Sequence, residues 1–171
     1  MRWLKLVSGF LCFCLVATCF SACSISPVPP GKEKMERQLA DSYEDFKLVT
    51  EYLLSLPYED AYIYEDRPGE FLGDLTWYTI ENSQVKDAVQ RLLKNGTQWI
   101  EKDKDRNAIQ FTMWTSFHEI DSGILYAMEE NRIPTAQFMT QLEAMEESPW
   151  YYYVADYNLW RSTGRKEWTD P

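Results

Sequence analysis

The chain reads as an α+β domain, an antiparallel sheet of about five strands with three helices packed on one face. Two patterns carry this reading. Apolar residues recur at steps of three and four in some segments and alternate with polar ones in others. The strand-like runs in the second half are joined by connections too short for parallel crossovers, which makes the sheet antiparallel.

Residues 32–56 form the first helix, long and amphipathic. Met35, Leu39, Phe46, Val49, Leu53 and Leu56 recur at helical steps or multiples of them, with Tyr43 between and charged residues elsewhere. Pro57 ends it. Residues 58–66 alternate around Ala61-Tyr62-Ile63-Tyr64 as a strand, and Arg67-Pro68-Gly69 is a turn. Residues 74–80 hold the strand formers Leu75, Thr76, Trp77, Tyr78, Thr79 and Ile80. Asn82 or Ser83 then caps a second helix with the stripe Val85, Ala88, Val89, Leu92 and Leu93, closed by Asn95-Gly96. Residues 97–102, 108–117 and 123–128 are three further strands. Their turns are the charged stretch Asp103-Lys104-Asp105-Arg106-Asn107 and Asp121-Ser122-Gly123. Pro134 opens a third, shorter helix carrying Phe138, Met139, Leu142 and Met145. Ser148-Pro149 breaks that helix, residues 150–155 are a last strand, and residues 156–171 are a mostly polar tail.

Ahead of this domain lies a segment of another kind. Arg2 and Lys5 precede fifteen uncharged residues from Leu6 to Phe20, then Ser21 and Ala22, the charged, apolar, small order of a secretory signal. The uncharged run is shorter than the ~20 residues that span a bilayer as a helix. Phe20-Ser21-Ala22-Cys23 resembles the lipobox of bacterial lipoproteins, an apolar residue and two small ones before an obligatory Cys, with Phe where Leu is usual. The resemblance covers residues 1–23. It implies diacylglycerylation of Cys23, acylation such as palmitate, cleavage before it, and anchoring on the extracytoplasmic side of the cell membrane. The organisation expected is therefore a signal peptide at 1–22, the lipidated Cys and a Pro-rich tether at 23–31, and one α+β domain at 32–171. The tether, with Pro27, Pro29 and Pro30 in eight residues, reaches roughly 25 Å if extended.

Charge and cysteine usage agree with that address. All four cysteines, Cys12, Cys14, Cys19 and Cys23, lie in the signal segment. After cleavage the domain has no thiol for a disulfide, a zinc thiolate site or nucleophilic catalysis. The 171-residue chain carries 17 basic and 27 acidic residues, a net charge of −10, and loss of Arg2 and Lys5 makes it −12. Such a surface repels phosphate backbones and excludes nucleic acid as a partner. It also repels anionic headgroups, so the lipid rather than the protein surface holds the domain at the membrane.

Catalytic patterns are sparse. His118 is the only histidine, and a zinc-protease helix needs a second four residues on, where Ser122 stands. No G-x-S-x-G elbow or Gly-rich phosphate loop occurs. Asp103, Asp105 and Asn107 have calcium-loop spacing without the loop's Gly or terminal Glu. Glu59-Asp60, Glu65-Asp66, Glu119 and Asp121 flank strands, and two carboxylates at the right separation hydrolyse glycosides. No cofactor is expected. The unusual feature is aromatic content: eleven Tyr, and after cleavage six Trp and five Phe. Trp77-Tyr78, Trp114 and Trp150-Tyr151-Tyr152-Tyr153 are the clusters. Such rings serve a core, a protein contact or a sugar platform. The candidate ligand-binding residues are Trp77, Tyr78, Trp114, Trp150 and Tyr152. The expected function is a non-enzymatic, membrane-anchored domain that binds an envelope protein. An envelope glycan hydrolase using paired carboxylates, or a sugar-binding module, is the alternative.

Overall fold

The computed structural model describes residues 28–116 and 119–164. The signal segment, Cys23, His118 and the end of the tail lie outside the described residues.

The architecture is α+β with an antiparallel sheet, as expected, but it has eight strands and four helices among the described residues. In chain order these are α1 (Lys32–Asp41), α2 (Tyr43–Ser55), β1 (Asp60–Tyr64), β2 (Glu70–Gly73), β3 (Thr76–Thr79), α3 (Ser83–Lys94), β4 (Trp99–Asp103), β5 (Ala108–Thr115), β6 (Ile120–Ala127), β7 (Met139–Ala144), β8 (Trp150–Asp156) and α4 (Tyr157–Ser162). The strands lie in the order β3-β2-β1-β4-β5-β6-β8-β7, and every neighbouring pair is antiparallel.

The single long first helix is corrected to two. Ser42 leaves helical geometry at φ −129°, ψ 23°. Its N–H donates to Leu39 O, and its carbonyl accepts from Asp45 and Phe46. It thus ends α1 and starts α2. Ser suits such a break because its hydroxyl competes with helical hydrogen bonds, and Glu44 and Asp45 then favour the new N-terminus. The break lets α1 lie on β6 and β8 while α2 packs along α3.

The third helix expected from Pro134 onward is instead strand β7. Met139 and Leu142 are three apart, which reads as a helical stripe. A β-bulge between Met139 and Gln141 shifts the strand's parity by one. Residues three apart then reach the same face, and both pack around Tyr153. The expected turn at Asp121-Ser122-Gly123 is likewise strand. The chain reverses earlier, where Glu119 takes φ 61° and Ser116 N–H bonds Ile120 O at 2.9 Å. Gly123 serves close packing instead: a Cβ there would come within 2.0 Å of the Phe111 carbonyl oxygen. Strand β2 had no sequence signal. It joins β3 through Asp74 (φ 48°) and Leu75 (φ 62°), a hairpin turn usually marked by Asn-Gly. The polar tail contains α4, capped by the Asp156 carboxylate accepting from Leu159 N–H at 2.8 Å.

Other elements form where expected. Asn82 Oδ1 accepts from Gln84 and Val85 N–H, and Gly96 at φ 106° closes α3. Val85, Ala88, Val89 and Leu92 meet Phe46, Val49 and Leu53 of α2 over Ile63, Ile100 and Phe111 of the sheet. A smaller core on the opposite face joins Ala108, Leu125, Met139, Tyr153 and Ala155 beneath Ala136 of the 128–138 loop.

Two buried polar residues tie loops to this frame. Lys102 Nζ donates to Leu56 O at 3.1 Å, placing a cation at the end of α2, and burial lowers its pKa. Asn107 is 0% exposed at φ 55°. Its amide donates to the carbonyls of Glu129 and Arg132 and accepts from Glu129 N–H at 2.7 Å. One side chain thus pins the 128–138 loop to the β4–β5 turn. Asn107→Ala is expected to lower the unfolding free energy by about 2–4 kcal/mol in urea titrations, because buried partners lose their bonds and a Cβ without an amide remains at positive φ. Asn107→Gly should recover about 1 kcal/mol of that loss, having no Cβ at the strained position.

Candidate functional site

All three helices α1–α3 cover one face of the sheet, so alternation sends every second residue of β1, β4 and β5 to the other. On that other face Tyr62 stands beside Glu101 and Gln110, Tyr64 beside Trp99 and Thr112, and Asp60 beside Asp103. Leu72 of β2 and Trp77 of β3 extend the first of these rows. None of Tyr62, Tyr64, Leu72, Trp77 and Trp99 packs into either hydrophobic core. The result is a partly exposed sheet face of rings interleaved with carboxylates.

Its geometry is ordered. The Tyr62 and Tyr64 rings are parallel within 9° at 6.2 Å, and Tyr64 meets Trp77 at 6.1 Å and 60°. Arg67 lies over the Trp77 ring at 4.5 Å and pairs with Glu70 at 3.2 Å. Arg106 reaches Asp103 at 2.9 Å and Glu101 at 4.0 Å. Burial pushes the Glu101 carboxyl up, against Arg106 and the Tyr62 hydroxyl, which both favour its charged form. Tyr62 is pushed up to about 12 by burial and then by Glu101, Asp60 and Asp103. Asp60 is raised by burial and by Asp103.

A polar chain continues across the sheet. Gln110 Nε2 donates to Thr112 Oγ1 at 2.8 Å, and Thr112 Oγ1 shares a 2.8 Å hydrogen bond with the Tyr153 hydroxyl. β6 runs between these two partners, and the residue it places between Thr112 and Tyr153 is Gly123. Asp121 also acts on Tyr153, and burial raises Asp121 to about 6.

The five residues singled out from sequence do not form one site. Trp77 is on the open face, 38% exposed. Tyr78 is on the helix side, 5.2 Å from Phe71. Trp114 lies beyond a β-bulge, opposite Ser122. Trp150 and Tyr152 are 2% and 3% exposed, deep in the helix-side core. Tyr62, Tyr64, Trp99 and Glu101 were missed, although the order Ala61-Tyr62-Ile63-Tyr64 already separates a small apolar face from an aromatic one.

The strand-flanking carboxylates are scattered. Glu59 pairs with Lys104 at 2.7 Å, Glu65 and Asp66 are exposed at a turn, and Glu119 is exposed at the β5–β6 reversal. Glu101 and Asp103, on the same face of β4, both reach the Arg106 guanidinium, at 4.0 and 2.9 Å, while Asp121 lies two strands away on β6. The calcium-like spacing 103–107 is a tight turn, with Asp103 Oδ1 accepting from Arg106 N–H at 3.0 Å. Among the described residues no group of three His, Cys, Asp or Glu is placed to hold a metal ion. None of their helices is long and apolar enough to cross a membrane. The arrangement can bind by ring stacking, by carboxylate acceptance and by charge. No protein-family model, curated protein or solved structure matches the chain.

Two measurements test this geometry. Gly123→Ala should destabilise the protein by roughly 3 kcal/mol or more, seen as a lowered Tm, since the clashing atom belongs to the backbone. Asp121 binds its proton more tightly folded than unfolded. Its stabilising contribution is therefore present at low pH and lost as pH rises from about 4 through about 6. Urea denaturation should accordingly show Asp121→Asn gaining stability relative to the parent between about pH 4 and about pH 7. A carboxyl midpoint near 4 by NMR would contradict the burial argument.

Proposed function

We propose that this protein is a bacterial lipoprotein, held through lipidated Cys23 on the extracytoplasmic side of the cell membrane, whose α+β domain acts by binding an envelope protein rather than by catalysis. The observation that carries the binding part is the open sheet face, where Tyr62, Tyr64, Trp77 and Trp99 belong to neither core while the opposite face is covered by helices. Aromatic residues in such positions supply contact area at low entropic cost. The anchoring part rests on the Phe20-Ser21-Ala22-Cys23 pattern. Pro30, at the end of the tether, accepts a hydrogen bond from the Tyr152 hydroxyl at 3.1 Å. The tether would thus leave from the helix side, away from the ring-bearing face.

Labelled palmitate fed to expressing cells should enter the protein and be lost in Cys23→Ala, with the variant released from the membrane pellet; unchanged labelling would refute the anchor. A benzophenone amino acid at Trp99 should cross-link a cellular protein, whereas the same probe at Glu51 on the helix side should not. Cross-links confined to Glu51 would place the contact surface elsewhere.

A further inference from the structure

We propose that the open face takes a cationic ligand: an extended basic segment of a protein partner, laying arginine or lysine side chains over Tyr62, Tyr64 and Trp99 and against Glu101. This rests on the reading of that face as the contact surface and specifies what it contacts.

The face already shows both seats that such a segment would use. Arg67 stacks on Trp77 at 4.5 Å, which is the ring seat. Arg106 spans Asp103 at 2.9 Å and Glu101 at 4.0 Å, which is the carboxylate seat. Both guanidinium groups come from turns at the ends of strands, so they frame the patch without filling its middle. Over Tyr62, Tyr64 and Trp99 there is no cation among the described residues. Charge favours the same ligand. Among the described residues Asp60, Glu70, Glu101 and Asp103 share the face with Arg67 and Arg106, which leaves it acidic. Glu101 is held back from ionising mainly by burial, and a guanidinium or ammonium group placed beside it would relieve that cost. Spacing favours an extended chain. Alternate side chains of a strand repeat every ~6.6–6.8 Å, and the Tyr62 and Tyr64 rings are 6.2 Å apart. A segment running along β1 would bring one side chain to each ring. A neutral glycan would use the rings but gain nothing from the excess of carboxylates.

The test uses the full chain in a neutral detergent, titrated with a fluorescein-labelled peptide of about ten residues alternating Arg and Ser and followed by anisotropy. Binding should weaken about fivefold in Glu101→Gln and in Tyr64→Ala, and fall as salt is raised. Glu51→Gln removes the same charge from exposed α2 and should change affinity by less than about twofold. Circular dichroism melts establish that each variant is folded, and the near-isosteric Glu101→Gln decides the matter if Tyr64→Ala is not. Equal losses in Glu51→Gln and Glu101→Gln would mean diffuse attraction to an acidic protein and overturn the inference. Binding of chitohexaose without binding of the peptide would overturn it in favour of a glycan. Cellular cross-links from Trp99 combined with either of these results would leave the contact-surface reading standing and remove only the cationic ligand.

Discussion

The packing of Phe46 against the sheet holds the two layers together. Its ring meets Phe111 edge-on at 4.9 Å and Trp150 at 5.9 Å, and it is fully buried. Phe111 is on β5 and Trp150 on β8, so one side chain of α2 is wedged over the centre of the eight-stranded sheet. Edge-to-face contacts add direction to apolar burial, since the ring edge seeks the face of its neighbour. That contact also decides which parity of each strand is inside. With Phe111, Ile100 and Ile63 beneath the helices, Gln110, Glu101 and Tyr62 must face away from them.

The far face therefore solves its burial problem twice, by different means. Near β6, β7 and β8 it is closed by the 128–138 loop, which Asn107 and the Arg106 carbonyl fasten in place. Across β1 to β5 it has no such cover among the described residues. There, rings shield one another and the neighbouring carboxylates, and two arginines from turns supply the compensating charge. Glu101 pays for this partial dryness with a raised pKa. In a chain this acidic, partly buried carboxylates are costly, and the two arginines offset only part of that cost.

Much of the local structure was legible from residues alone. The stripe Val85 to Leu93 between Asn82 and Gly96 named its helix, because capping and periodicity act over a few neighbours. The alternation at Ala61 to Tyr64 and at Ile109 to Met113 named strands for the same reason. The errors share a cause. Met139 and Leu142 mimic a helix only because a bulge changes the parity of β7. Gly123 mimics a turn because close approach of backbone, like a reversal, requires the absence of a Cβ. The hairpin at Asp74-Leu75 uses residues that carry no turn signature.

The candidate site was less legible than the fold. Trp150 and Tyr152 belong to the densest run of rings along the chain, yet they are core, while Tyr62 and Trp99, outside any such run, stand on the open face. Density of rings along the chain measures composition; exposure depends on which parity the helices cover. The order of residues sufficed for the acidic balance, the cysteine-poor domain, the signal-like start and the α+β character, since these depend on counts and short-range patterns. Strand order, the two bulges, the split at Ser42 and the identity of the uncovered face came from contacts between distant segments, where burial against a particular neighbour outweighs local preference.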